Sequence, residues 1–193
     1  MSVEFEVKFR GTPEILEKLR RDIPGTEEQY QMETTYYDTP TGAFAARFCT
    51  LRRRMENSRS VCTLKAPARG HGRREWEVDC DAIEQAFGKL CKLGVPEEYL
   101  NLATEGLIPV CGAKFTRIAK TVELQDGTAE LALDQGILMG GGKETPLCEV
   151  EIEGKTCTEE ACVAYASLLA RRYALEQEPD SKFRRAQLLS KGE

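Results

Sequence analysis

Formal charge repeated at strand period constrains this chain more than any other feature. Glu4-Phe5-Glu6-Val7-Lys8 alternates charged and apolar side chains, which on a β-strand puts two carboxylates and an ammonium on one face and Phe5 and Val7 on the other. The alternation returns along the chain. Arg52 and Arg54 oppose Leu51, Lys65 shares a face with Thr63 against Leu64, and Arg73, Glu75 and Glu77 oppose Trp76 and Val78. Glu130 and Asp134 oppose Leu131 and Leu133, and Glu149 and Glu151 oppose Val150 and Ile152. A single such strand is explained by one face meeting water. Where many share the pattern and their apolar faces pack outward under helices, the charged faces point into the lumen of a closed barrel.

Local signals supply the elements. Thr12 caps a helix that Pro13 opens, with Ile15, Leu16, Leu19 and Ile23 on one stripe. A polar strand over 27–38 ends at Thr39-Pro40-Thr41-Gly42, a turn signal. A hairpin over 49–66 turns at Asn57-Ser58, and a strand follows over 73–79. Helical periodicity occupies 80–107, three strand-like runs span 113–153, and helices start at Thr158 and Asp180. About eight strands, mostly antiparallel, with a few helices predict an α+β fold: a closed eight-stranded antiparallel barrel, charged inside and helix-covered outside, as a single domain over 1–193.

Composition removes several functions. A net charge of −5 argues against coating nucleic acid in bulk. No apolar run approaches the roughly 20 residues needed to span a bilayer. Met1 leads straight into the charged strand without a signal-peptide pattern, so the expectation is a cytoplasmic protein. Eight cysteines without CxxC spacing read as reduced thiols. The single histidine, His71, lies between two glycines, which excludes Ser-His and Cys-His mechanisms and leaves metal-assisted chemistry. Gly140-Gly141-Gly142 follows a strand and lacks a P-loop lysine, so it reads as a flexible turn.

A charged lumen is costly unless it is wet and its charges find counter-ions. Carboxylates at i and i+2 lie about 7 Å apart along a strand. Several pairs facing one space repel one another, and a hard divalent cation is their natural neutraliser. The clustered Arg and Lys residues predict a ligand of dense negative charge, best of all phosphate.

The same residues resemble the signature of the CYTH superfamily, or triphosphate tunnel metalloenzymes, which includes bacterial inorganic triphosphatases, thiamine triphosphatases and class IV adenylyl cyclases. The match begins at Glu4-x-Glu6-x-Lys8 and continues through Tyr36-Tyr37-Asp38-Thr39-Pro40, Leu51-Arg52-x-Arg54, Thr63-Leu64-Lys65, Arg73-x-Glu75-x-Glu77, Arg117, Glu130-x-x-x-Asp134-x-Gly136, Glu149-x-Glu151 and Ser181-Lys182. The resemblance implies an eight-stranded tunnel holding triphosphate and Mg²⁺ or Mn²⁺. It assigns Glu4, Glu6, Asp134, Glu149 and Glu151 to the metal, and Lys8, Arg52, Arg54, Lys65, Arg73, Arg117, Lys120 and Lys182 to phosphate. Lys120 enters the lumen only if a bulge separates it from Arg117. Glu75, Glu77 and Glu130 complete an acidic wall.

Glu4, Glu6, Lys8, Arg52, Arg54 and Lys65 form the implied catalytic set. The implied activity is hydrolysis of inorganic tripolyphosphate to pyrophosphate and phosphate. Thiamine triphosphate or nucleoside triphosphate hydrolysis comes next, then cyclisation of ATP; a non-catalytic sensor is the alternative outside enzymes. Tyr36 and Tyr37 either meet the substrate or pack. The implied partner is a small-molecule triphosphate, with no membrane, and both a monomer and a homodimer are compatible with the sequence.

Overall fold

The computed structural model describes residues 2–68 and 73–191, with side chains from residue 5 onward. The Glu4 side chain and His71 therefore lie outside the described residues, although the backbone of Glu4 is placed. Among the described residues, ten antiparallel strands form one sheet, and six α-helices accompany it.

The expected first strand is two. Residues Ser2–Glu4 (β1) pair with Arg73–Asp79 (β6), and Glu6–Arg10 (β2) pairs with Lys143–Gly154 (β9), the break falling at Phe5. Between these run Glu27–Asp38 (β3), Thr50–Glu56 (β4), Arg59–Pro67 (β5), Ile108–Leu124 (β7) and Gly127–Gly140 (β8). Glu176–Gln177 (β10) adds a short strand beyond β2. The order is β1-β6-β5-β4-β3-β7-β8-β9-β2-β10. The α+β class and the antiparallel pairing stand. The ladder itself has ten strands and two ends, where the sequence predicted eight strands in a closed ring.

Helix boundaries follow the local chemistry. Thr12 accepts from the Ile15 N–H at the start of Pro13–Asp22 (α1), and Thr158 accepts from Ala161 at the start of Glu159–Tyr173 (α5). Leu16 and Leu19 of α1 and Leu169 of α5 pack on Phe9, Leu131, Leu133, Val150 and Ile152 of the sheet. Ile83 and Leu90 of Ile83–Lys92 (α3) cover Leu51, Leu64 and Trp76. These are the apolar faces read from the sequence, and helices cover them. Ala43–Ala46 (α2) and Glu97–Leu100 (α4) are single turns.

The third apolar cluster was not anticipated. Met32, Phe115, Leu138 and Leu147 pack with Ala186 of the last helix, Lys182–Lys191 (α6). Phe115 is two residues before Arg117, and Leu147 two before Glu149, so they share the charged face rather than opposing it. One end of that face is therefore apolar and plugged by α6. Gly140 permits the contact, because a Cβ there would lie 2.2 Å from the Ala186 carbonyl oxygen. Gly141 and Gly142 take positive φ values of 59° and 75° in the β8–β9 turn, the geometry that glycine favours. Among the described residues no helix is long and apolar enough to cross a membrane.

Candidate active site

The charged side chains of seven strands converge on two adjoining cavities. The first, about 370 Å³, is lined by Glu6, Lys8, Arg52, Arg54, Lys65 and Arg73, with Arg117 and Lys182 deeper in. The second, about 760 Å³, shares Arg52, Arg54, Arg117 and Glu153 with the first and adds Glu75, Glu77 and Glu130. Register accounts for the convergence. Lys8 lies opposite Glu151, Glu6 opposite Glu153, Lys65 opposite Glu75, and Arg117, Asp134 and Glu149 in one row across β7, β8 and β9.

Arg54 is the least compensated charge of the set. It is 6% exposed, and its Nε donates to Thr34 Oγ1 at 2.9 Å. Among the described residues no carboxylate comes within ion-pair distance of it. Burial, and then the like charge of Arg52, push its guanidinium down to about 10. A buried cation among cations is expensive unless an anion joins it. Arg52 and Lys65 share Glu75, at 3.7 and 3.4 Å. Arg73 donates to the Phe48 carbonyl at 2.8 Å and to Thr50 Oγ1 at 3.2 Å, which anchors the start of β4. Phe115 is buried, its ring centroid 5.4 to 5.9 Å from the cationic groups of Arg54, Arg117 and Lys182.

Asp134, Glu149 and Glu151 form the deepest part of the site. Arg117 grips Asp134 with two hydrogen bonds of 2.7 Å and also bonds Glu151. The Lys182 ammonium reaches all three carboxylates, and Arg185 bonds Glu149. Burial pushes Glu149 up to about 7, with Lys182 opposing the rise and Glu151 adding to it. Burial would raise Glu151 as well, but Lys182 and Arg117 outweigh it and hold that carboxyl well below the usual range.

The three acids offer oxygens within 4.8 Å of one another, the spacing of a metal cage. Those oxygens are already engaged by Lys182, Arg117 and Arg185, so the trio does not fit a divalent cation while α6 is docked. Glu6 and Glu153 are more accessible: both line the first cavity and face each other in register, their side chains are 32% and 23% exposed, and the cations beside them are Lys8 at 3.9 Å from Glu6 and the half-exposed Lys155 at 2.9 Å from Glu153. Hard carboxylate oxygens open to solvent suit Mg²⁺ or Mn²⁺.

Lys120 is not in the cavity. No bulge separates it from Arg117 in either ladder, so the two side chains take opposite faces. Its ammonium donates to the carbonyl oxygens of Arg20 and Ile23, capping the end of α1. Glu77 sits at the outer rim beside Arg59, at 3.8 Å. Glu130 lies 3.9 Å from Arg117 and 3.7 Å from Lys155. Tyr36 lines the cavity and packs its ring 5.2 Å from Phe183, whereas Tyr37 packs against the cluster under α3.

Sequence reasoning missed Glu153 and Arg185. One more step of the Glu149-x-Glu151 alternation reaches Glu153. Arg185 stands three residues after Lys182, on the same side of a helix.

The CYTH domain profile matches residues 2–186. A curated inorganic triphosphatase of Haemophilus influenzae is 30% identical over 164 residues, which is 81% of this chain and 46% of that protein. The chain thus spans less than half the length of that relative. Among solved structures, a Pyrococcus horikoshii protein superposes with a TM-score of 0.65 at 23% identity, covering 98% of this chain and 99% of its own. A Hippeastrum protein, described as an adenylyl cyclase candidate with a dominant triphosphatase activity, superposes with a TM-score of 0.67 at 18% identity, covering 100% and 96%. At these identities the two structures share the fold with this chain.

Proposed function

Because the chain belongs to the CYTH family, we propose that it hydrolyses a triphosphate, with inorganic tripolyphosphate as substrate and pyrophosphate and phosphate as products. The observation that carries this reading is Arg54, a buried guanidinium without a carboxylate partner among the described residues, bordered by Arg52 and Arg117 and open to a cavity. Such a group calls for a polyanion, and a row of phosphates presents one. The inorganic triphosphatase of Haemophilus influenzae supports the same reaction class.

The N-terminal strand closes the sheet in this reading. β1 and β2 are covalently continuous through Phe5 and pair with the opposite members β6 and β9. Counted as one, with the two-residue β10 left as a flanking strand, they make an eight-stranded tunnel within a single unit over 1–193.

In the reaction, Arg52, Arg54, Lys65 and Lys8 hold the phosphate oxygens and align the terminal phosphorus. A water oxygen attacks that phosphorus in line, the bridging P–O bond breaks, and pyrophosphate leaves with the bond's electrons. Glu6 or Glu153 takes the water's proton. Glu6 and Glu153, with Glu4 two residues before Glu6 in the chain, would hold Mg²⁺ or Mn²⁺, which would supply charge neutralisation. Holding both reactants in one orientation does most of the work.

The test is a substrate panel of tripolyphosphate, thiamine triphosphate and ATP with Mg²⁺ or Mn²⁺, following phosphate, pyrophosphate and cyclic AMP. Phosphate and pyrophosphate from tripolyphosphate, lost in Glu6→Gln with the fold intact, is the expected result. Binding without turnover of any member would instead mark a sensor.

A further inference from the structure

The socket of Asp134, Glu149 and Glu151 presents all six of its carboxylate oxygens to cations of the chain itself. Asp134 Oδ1 accepts from Arg117 Nε at 2.7 Å, and Oδ2 from Arg117 Nη2 at 2.7 Å, with the Lys182 ammonium 2.8 Å away. Glu151 Oε1 accepts from Lys182 at 2.7 Å and its Oε2 from Arg117. Glu149 gives one oxygen to Lys182 and the other to Arg185. An ammonium has three N–H donors and no more. With three carboxylates around it, Lys182 has none left for a phosphate oxygen.

A divalent cation entering the socket would have to break several of these bonds and then sit among three positive groups. Desolvation has already been offset here by internal pairing, so the exchange is unfavourable. Arg185 extends the arrangement outward. Its Nη1 lies 3.6 Å from Glu178, which accepts from Arg10 of β2 at 3.1 Å. Meanwhile Ser181, Lys182 and Phe183, at the start of α6, form one wall of the first cavity.

We propose that Asp134, Glu149 and Glu151 are an electrostatic lock for α6, with Lys182 and Arg185 as positioning residues, and that this socket does not hold the catalytic metal. The lock sets the cavity wall that α6 supplies. Its bearing on catalysis rests on the triphosphatase reading, but the lock can be tested without substrate, so the two can fail separately.

Amide hydrogen exchange over residues 182–191 is measured on the free protein, in chelator and again with MgCl2. MgCl2 is expected to leave wild-type exchange unchanged, and Asp134→Asn to speed it about 100-fold. Lys182→Met should also speed it and open a new cation site, read as a further Mn²⁺ bound per chain that disappears when Asp134→Asn is added. Arg185→Lys should keep the protection that Arg185→Met loses, which gives the same reading if Asp134→Asn does not fold. The proposal is overturned if MgCl2 alone releases α6 in the wild type. It is equally overturned if both Asp134→Asn and Arg185→Met leave exchange unchanged.

Discussion

Glu149 and Lys120 show how opposite outcomes arise from one rule, that a buried charge must find a partner. The Glu149 carboxyl is pushed up to about 7 by burial, with Lys182 and Arg185 opposing the rise and Glu151 adding to it. Between its ordinary value of 4.5 and about 7 the unfolded chain has released this proton while the native protein keeps it. The contribution is full below that window and is lost as pH rises through it. Urea midpoints at the two ends of the window should therefore differ more in the wild type than in Glu149→Gln. Glu151 acts with the reverse sign, adding stability above the ordinary carboxylate range and losing it on acidification. Lys120 finds its partners at the end of α1 rather than in the cavity. Lys120→Met should cost about 1–2 kcal/mol in chemical denaturation and leave the KM for tripolyphosphate unchanged.

The charged faces of β2, β4, β5 and β9 were legible because strand alternation alone decides which side chains share a face. The Arg117–Lys120 relation was not legible, because it turns on whether a bulge interrupts β7 between them, a matter of register with β3 and β8. The apolar plug was hidden for a related reason. Phe115 and Leu147 carry the phase of Arg117 and Glu149, so parity places them in the lumen, but nothing local says that α6 arrives to cover them. Gly140 is the position that admits it. Gly140→Ala would drive a methyl group into the Ala186 carbonyl, and the expected cost is about 1–3 kcal/mol, read by thermal melting together with faster exchange in α6. The ends of β7 and β8 extend beyond their alternating cores for the same reason, since Ile108–Gly112 and Gly136–Gly140 are ordered by neighbouring strands rather than by their own pattern.

The molecule turns the usual arrangement of a small α+β protein outside in, with helices burying the apolar faces and cavities holding the charges. That arrangement depends on the N-terminal segment, which forms one end of the ladder through β1 and pairs through β2 with β9 near the other, where only the two-residue β10 lies beyond it. Val3→Pro, which removes one N–H from β1, should accelerate amide exchange in β6 and lower turnover while the helices retain their circular dichroism. Unchanged exchange in β6 would mean that the seam does not close the tunnel.

The most direct measurement pairs binding with stability in one variant. Arg54→Met removes the buried cation that the cavity leaves without a carboxylate. Calorimetric titration with tripolyphosphate should show at least about a tenfold loss of affinity, as expected for losing charge-assisted hydrogen bonds, while the free protein melts at the same temperature or higher because an uncompensated buried charge is gone. Undiminished tripolyphosphate binding in a folded Arg54→Met protein would contradict the account.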